Sequence, residues 1–208
     1  MKRRLMLAAG AAGAATLAGC AAPEVGVYAG EKPVLDLRQY FNGTLDAWGV
    51  FSDRSGKVVR RFTVLMDCRW SGPPGAEEGV LDEAFTYSDG EKQRRIWRLK
   101  AHPGGRFTGT ADDVVGQAEG RQSGNAFSWR YTLALPVDGR RDAGPPQGAP
   151  APSGGSAAAS AASVGARVWH VDMDDWMYLM NERVMLNKAV MSKFGLKLGE
   201  VTLSFNKR

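Results

Sequence analysis

Residues Phe62 to Trp70, FTVLMDCRW, place Phe62, Val64, Met66, Cys68 and Trp70 on one side of an extended chain. Thr63, Asp67 and Arg69 fall on the other, with only Leu65 out of step. Strand side chains alternate between faces with period two, so such a run needs a dry side and a wet side. The same alternation recurs along most of the chain. It predicts strands near 44–52, 58–70, 79–88, 92–101, 106–114, 117–122, 126–136, 167–174, 175–182 and 199–207, with a short helix around Asn187–Phe194 ahead of Gly195. Turn formers separate them at Asp53–Gly56, Ser71–Gly75, Asp89-Gly90, Pro103–Gly105 and Ser123–Asn125. A run of antiparallel strands this long curls or closes to avoid a bare edge. The expectation is a mainly β protein whose meander closes into an up-and-down barrel.

The first residues do not fit that pattern. Lys2, Arg3 and Arg4 precede an apolar run from Leu5 to Leu17, followed by Ala18, Gly19 and Cys20. At 1.5 Å per residue such a run reaches only about 20 Å, short of the roughly 30 Å hydrocarbon core of a bilayer. It reads as an export leader, residues 1–19, to be removed. The residues LAGC before the cut resemble the lipobox of bacterial lipoproteins, and that resemblance implies acylation of Cys20 and anchoring through its lipid. Several acyl chains hold a protein stably on a membrane where one does not. Ala21-Ala22 lacks the acidic residue that retains lipoproteins at the inner membrane, which by the same analogy implies the periplasmic face of the outer membrane. With Cys20 lipidated, Cys68 is left as an inert core thiol.

The expected layout is therefore residues 20–34 as anchor and tether and 35–208 as one domain. A low-complexity loop interrupts it at about 138–166. Within that loop, Ala143–Ala166 consists of Ala, Gly, Pro and Ser except for Gln147 and Val164, a composition that cannot offset its ordering entropy by burial. Three of the five net positive charges belong to Lys2, Arg3 and Arg4, which leaves +2 without the leader. No basic stripe interleaved with aromatics remains, so nucleic acid is not an expected partner. The pairs Arg60-Arg61, Arg94-Arg95 and Arg140-Arg141 read as solvated or ion-paired.

The hairpin GVLDEAFTYSDGEKQRRIWRLK, Gly79–Lys100, carries the candidate site. A two-residue loop at Asp89-Gly90 would mix charge and apolar groups on both faces. A loop of odd length instead puts Leu81, Glu83, Phe85 and Tyr87 on one face with Gln93, Arg95, Trp97 and Leu99. That register brings Glu83 and Arg95 together on the inner side as a pair, each offsetting the other's desolvation. Ligand-binding candidates are thus Glu83, Arg95, Trp97, Trp70, Phe85 and Tyr87. Trp129 and Tyr131 share a face that either joins them or points elsewhere. The competing reading is that these aromatics only fill the core.

A second stretch, Trp169–Gly195, offers Asp174, Asp175 and Trp176 as motif candidates; the two carboxylates suit acid–base work, a hard cation, or a turn. His102 and His170 have no partner visible in sequence. Neither a nucleophile elbow, a phosphate loop, HExxH nor CxxC is present, so no cofactor, metal or catalytic residue is called.

FNGTLDAWGVFSDRSGKVVRRF, LDEAFTYSDGEKQRRIW, GNAFSWRYTL and DDWMYLMNERVMLNKAVMSKFGLKLGEV together resemble a bacterial lipoprotein family, domain of unknown function 3833. The resemblance runs from about Phe41 to Phe205. It implies a periplasm-facing lipoprotein anchored at Cys20, is compatible with a lipocalin-like barrel, and carries no chemistry with it. The segment Ala143–Ala166 departs from the pattern.

Three functions follow in order. The first is a lipid-anchored envelope protein that binds an apolar or amphipathic, lipid-like molecule, with Glu83–Arg95 orienting its polar head. The second is a scaffold acting through an unidentified protein partner near Asp174–Glu182. The third is an isomerase or hydratase using Asp174, Asp175 or Glu83, a reading that a strongly raised carboxyl pKa facing a cavity would strengthen.

Overall fold

The computed structural model describes residues 23–137 and 167–208. The leader, Cys20 and the low-complexity segment lie outside them. Ten strands follow one another: β1 (Gly43–Asp53), β2 (Val58–Ser71), β3 (Glu78–Tyr87), β4 (Lys92–His102), β5 (Arg106–Thr110), β6 (Val114–Ser123), β7 (Ala126–Val137), β8 (Arg167–Leu179), β9 (Val184–Lys193) and β10 (Leu196–Lys207). Each pairs antiparallel with its neighbour in sequence, and β10 closes onto β1. The meander therefore becomes a closed up-and-down barrel, as the alternation requires.

Two expected elements differ. The segment predicted as a helix over 187–194 is most of β9: Met185, Asn187, Ala189 and Met191 are buried while Leu186 and Lys188 are exposed, a period of two. The hairpins with its two flanking strands, β8 and β10, give its backbone partners on both sides, and that outweighs the helix-forming tendency of its Met, Leu, Lys and Ala. The predicted strands 167–174 and 175–182 are the single strand β8, so Asp174-Asp175 lies in mid-strand and not at a turn.

Inside and outside are sharply different. On β2 the inward Val64, Met66 and Cys68 are almost fully buried, while Thr63, Leu65, Asp67 and Arg69 face out. A barrel spanning a bilayer carries the opposite arrangement, an apolar belt outside. Burying each large apolar side chain contributes about 1.5–3 kcal/mol, and this interior is where that term accumulates.

One end of the barrel is closed. The single-turn helix α1 (Leu37–Tyr40) is capped by Asp36, whose carboxylate accepts from the Arg38 and Gln39 backbone N–H groups. It presses Leu37, Tyr40 and Phe41 across the barrel end against Met185 and Phe205. Tyr40 donates to the Arg183 carbonyl at 3.0 Å, and the Trp70 indole donates to the Phe41 carbonyl at 2.7 Å. Residues expected to serve as a tether are folded too. A 3₁₀ turn at Val25–Tyr28 lies against β6 and β7, and Tyr28 packs 5.9 Å from Trp176 and 5.4 Å from Tyr178. That crossing needs Gly124, at φ +54, because a Cβ there would overlap the Tyr28 backbone.

Candidate functional site

The β3–β4 hairpin turns through Ser88-Asp89-Gly90, an odd loop, with the Tyr87 backbone N–H donating to the Glu91 carbonyl at 2.9 Å and Gly90 at φ +87. Its register pairs Leu81 with Trp97, Glu83 with Arg95 and Phe85 with Gln93, all facing inward. Above the closed end these residues border a cavity of about 170 Å³. Its walls are mostly apolar: Phe62, Phe85, Trp97, Trp129, Met173 and Leu203 are among them. An apolar cavity of roughly 150 Å³ holds one benzene ring, so this one accommodates a ring or a short alkyl segment.

Trp129 and Tyr131 do point inward, with ring centroids 5.6 and 5.2 Å from that of Trp97. Trp70 does not border the cavity. It sits at the closed end, where its indole covers Gly79 and meets Phe107 edge-on, because its strand has already reached the floor at that position.

The expected Glu83–Arg95 ion pair is not made. Although the two are register partners, the Arg95 guanidinium turns to Asp113, its Nη2 2.5 Å from Oδ2 and its Nε 3.1 Å from both carboxylate oxygens. The reason lies in the short strand β5, which pairs with β4 only from Arg98 onward. Below that point the ladder is missing, and the Arg95–Asp113 pair ties β4 to the start of β6 in its place. The alternation places Asp113 inside a predicted strand over 106–114; the structure breaks that strand with a turn at 111–113 between β5 and β6, and this turn sets Asp113 beside Arg95.

Glu83 is left inside the barrel with no hydrogen bond among the described residues. Burial, with the Asp113 and Asp82 charges adding to it against the pull of Arg95, pushes its carboxyl up to about 7. Asp175 comes from β8 on another part of the wall. Its Oδ2 accepts from the Tyr131 hydroxyl at 3.2 Å and its Oδ1 is buried with no partner. Burial pushes it too up to about 7, despite the Tyr131 hydrogen bond and Arg95, and the Asp174 and Glu83 charges reinforce the shift. Burial raises the Tyr131 phenol well above its usual value, and Asp175 raises it further. Arg95 stays charged: burial works against it, but Asp113, Tyr131 and Glu83 outweigh that cost.

The neighbouring motif residues point elsewhere. Asp174 faces outward and accepts from Arg130 Nε at 3.0 Å, and Trp176 lies on the outer surface beneath Tyr28. At the open end Arg60, read from sequence as solvated or paired, is buried. It makes ion pairs with Asp89 at 2.7 Å and Glu91 at 2.5 Å and stacks 3.7 Å over the Tyr87 ring. Cys68 is fully buried, and burial pushes its thiol up to about 12, so it takes no part in nucleophilic chemistry. Among the described residues no group of three or more His, Cys, Asp or Glu is placed to hold a metal ion.

A closed up-and-down barrel around an apolar chamber with a few convergent polar groups is the lipocalin-like architecture. The solved S-type phycobiliprotein lyase CPES from Guillardia theta has the same fold. It aligns at a TM-score of 0.56 over 89% of this chain and 98% of that one, at 7% identity. A second solved structure, EF1p2_mFAP2b bound to DFHBI, aligns over 82% of the chain at a TM-score of 0.37 and 9% identity, too distant to bear on the fold. No curated protein matches the chain. The chain belongs to the family described as "Protein of unknown function (DUF3833)", whose profile matches residues 14–142 and 160–207. The gap in that match falls within the segment whose composition set it apart.

Proposed function

We propose that this protein binds a small amphipathic molecule inside its barrel while held on a membrane of the cell envelope through an acylated Cys20. The observation that carries the binding reading is a mostly apolar chamber lined by two carboxyls, Asp175 with its buried Oδ1 unpartnered and Glu83 with no hydrogen bond among the described residues. A chamber meant only as core would be filled to crystal-like density and would place apolar groups at those two positions. An apolar body packs on Trp97, Trp129, Phe62 and Phe85, and a polar end meets Glu83, Asp175 and Tyr131. The likeness to a phycobiliprotein lyase supports this reading through fold alone.

Titration of delipidated protein with 1-hexanol, followed by the fluorescence of Trp97 and Trp129, tests it. A saturable change is expected and should be lost when Ala189→Trp fills the chamber. Absence of any saturable change, with no small molecule co-purifying in native mass spectrometry, would overturn it. The anchor rests on the leader and the LAGC sequence. The N-terminal peptide of the mature protein should carry a diacylglycerol on Cys20; an unmodified residue 20 removes the anchor.

A second reading has its own observation. Two carboxyls near neutrality in one enclosed site are what a general acid and a general base require. An isomerase- or hydratase-type reaction on the bound molecule is then expected to lose turnover, and to keep binding, in Glu83→Gln. The scaffold reading lacks such support, since Asp175 faces the interior and Trp176 is packed under Tyr28.

A further inference from the structure

The polar side of the chamber has a definite charge balance. Its lining contains two cations, Arg60 and Arg95, and both are already ion-paired, although the buried Arg60 Nε at the rim has no partner among the described residues. Arg60 is held by Asp89 and Glu91 at the open end, and Arg95 by Asp113. The lining carboxyls are Glu83 and Asp175, and neither has a cationic partner within ion-pairing distance. Asp175 is 7% exposed and leaves Oδ1 unsatisfied, while its other oxygen is used by Tyr131. An incoming anion would find both cations already neutralised by carboxylates and two further acidic groups against it. A neutral head would leave at least one buried acceptor without a strong donor.

A head group bringing positive charge and several N–H donors meets both needs at once. It supplies the missing donor to Asp175 Oδ1 and the missing counter-charge to Glu83, in an enclosed site where charge-assisted hydrogen bonds are strong. The aromatic lining, Trp97, Tyr131 and Phe85 among it, favours a cation further; Arg95 already lies 5.8 Å over Phe85. We infer that the chamber selects an amine or amidine, a cationic head on a small apolar body, held by Glu83 and Asp175. This deepens the proposed binding function and rests on it.

The groups facing the two carboxyls set the pH dependence: Arg95 and Asp113 at the β4–β6 junction, Tyr131 on β7, Tyr87 on β3, Cys68 on β2, Asp82 and Asp174 beside them in sequence, and Arg60, Asp89 and Glu91 at the rim. Glu83 and Asp175 are the two placed by burial to change charge near neutrality. An ammonium, with an ordinary pKa of about 10, stays charged throughout. It must displace the protons the empty site holds, so its affinity rises with pH through that range.

Hexylamine, 1-hexanol and hexanoate carry one tail on three heads and can be titrated against the delipidated protein by tryptophan fluorescence. Hexylamine should bind about tenfold or more tightly than 1-hexanol, and hexanoate more weakly than either. Hexylamine affinity should fall about tenfold or more from pH 8 to pH 6, with 1-hexanol flat. Glu83→Gln combined with Asp175→Asn should bring hexylamine down to the wild-type level of 1-hexanol; the wild-type pH profile gives the same answer should that variant fold poorly. Equal binding of the amine and the alcohol, or preference for hexanoate, overturns the head-group inference and leaves the chamber as a binding site. Failure of all three to bind overturns the chamber reading itself.

Discussion

The floor of the barrel and its waist are built from the same ten strands and obey opposite rules. At the floor Leu35, Leu37, Phe41, Leu45, Met66 and Cys68 are at most 3% exposed, and the Tyr40 and Trp70 side chains end on backbone carbonyls. Apolar contact and satisfied hydrogen bonds prevail there, with Asn125 Oδ1 in the β6–β7 turn the exception among the described residues. A few residues along the same strands, Glu83, Arg95, Tyr131 and Asp175 stand around a cavity, and Asp175 retains an unsatisfied oxygen. The floor spends its sequence on stability, and the waist gives some of that stability up to keep polar groups available. Natural chains concentrate such local conflicts at sites of function.

The comparison can be broken by substitutions of opposite sign. Phe41→Ala at the floor should destabilise the protein by about 3–5 kcal/mol in urea unfolding, since a large buried ring is lost and a cavity remains. A cost under 1 kcal/mol would mean that α1 does not seal the barrel. At the waist, Glu83→Gln and Asp175→Asn should stabilise the empty protein at pH 8, each by roughly 3 kcal/mol, because each removes a buried charge.

That gain must depend on pH. Both carboxyls ionise near 4 in the unfolded chain and at about 7 in the folded one. Between those values the folded state holds more protons, so wild-type stability falls as pH rises from about 4 to 7 and levels off above. Asp36, Asp46, Asp82 and Asp89, held below their usual range by hydrogen bonds from arginines, act in the other direction at lower pH. Wild type should therefore melt at a higher temperature at pH 5.5 than at pH 8, and the double variant should lose most of that difference. A melting temperature flat from pH 5.5 to 8 would show that the waist carries no such strain.

Smaller effects sharpen the contrast at the outer surface. Gly124→Ala should cost about 1–3 kcal/mol, through strain at a positive φ and displacement of the Tyr28 backbone. It should also redden or quench the Trp176 emission as Tyr28 moves away. Arg94→Ala, which removes the exposed pair with Asp82, should change stability by only about 0.2–1 kcal/mol.

Much of the barrel is legible in the chain because period two needs only local information. Phe62 to Trp70 and Leu81 to Tyr87 announce their inner faces by residue type alone. The odd loop at Ser88–Gly90 follows from requiring those faces to agree. Asn187–Phe194 misleads for a physical reason: its residues form helices readily, and only pairing with the flanking strands β8 and β10 holds it extended. Of the site, Glu83, Arg95, Trp97, Phe85 and Tyr87 are visible through the hairpin register, whereas Trp70, on the same face pattern, lies too near the floor to reach the cavity. Arg60 looks like half of a solvated pair until the rim encloses it.

Alternation along the chain determined by itself that the strands have one dry face and that the chain closes, since side-chain direction and the cost of a bare edge are properties of the strand and its neighbours. Which carboxylate meets which guanidinium was decided only in three dimensions. Glu83 and Arg95 are opposite in register, yet Asp113 takes the guanidinium, because β5 is short and the turn after it sets Asp113 in the gap it leaves. Asp175 joins Tyr131 from 44 positions away because β8 pairs with β7 in the sheet. Charge pairing depends on distance through space and on local burial, and neither quantity is written along a strand.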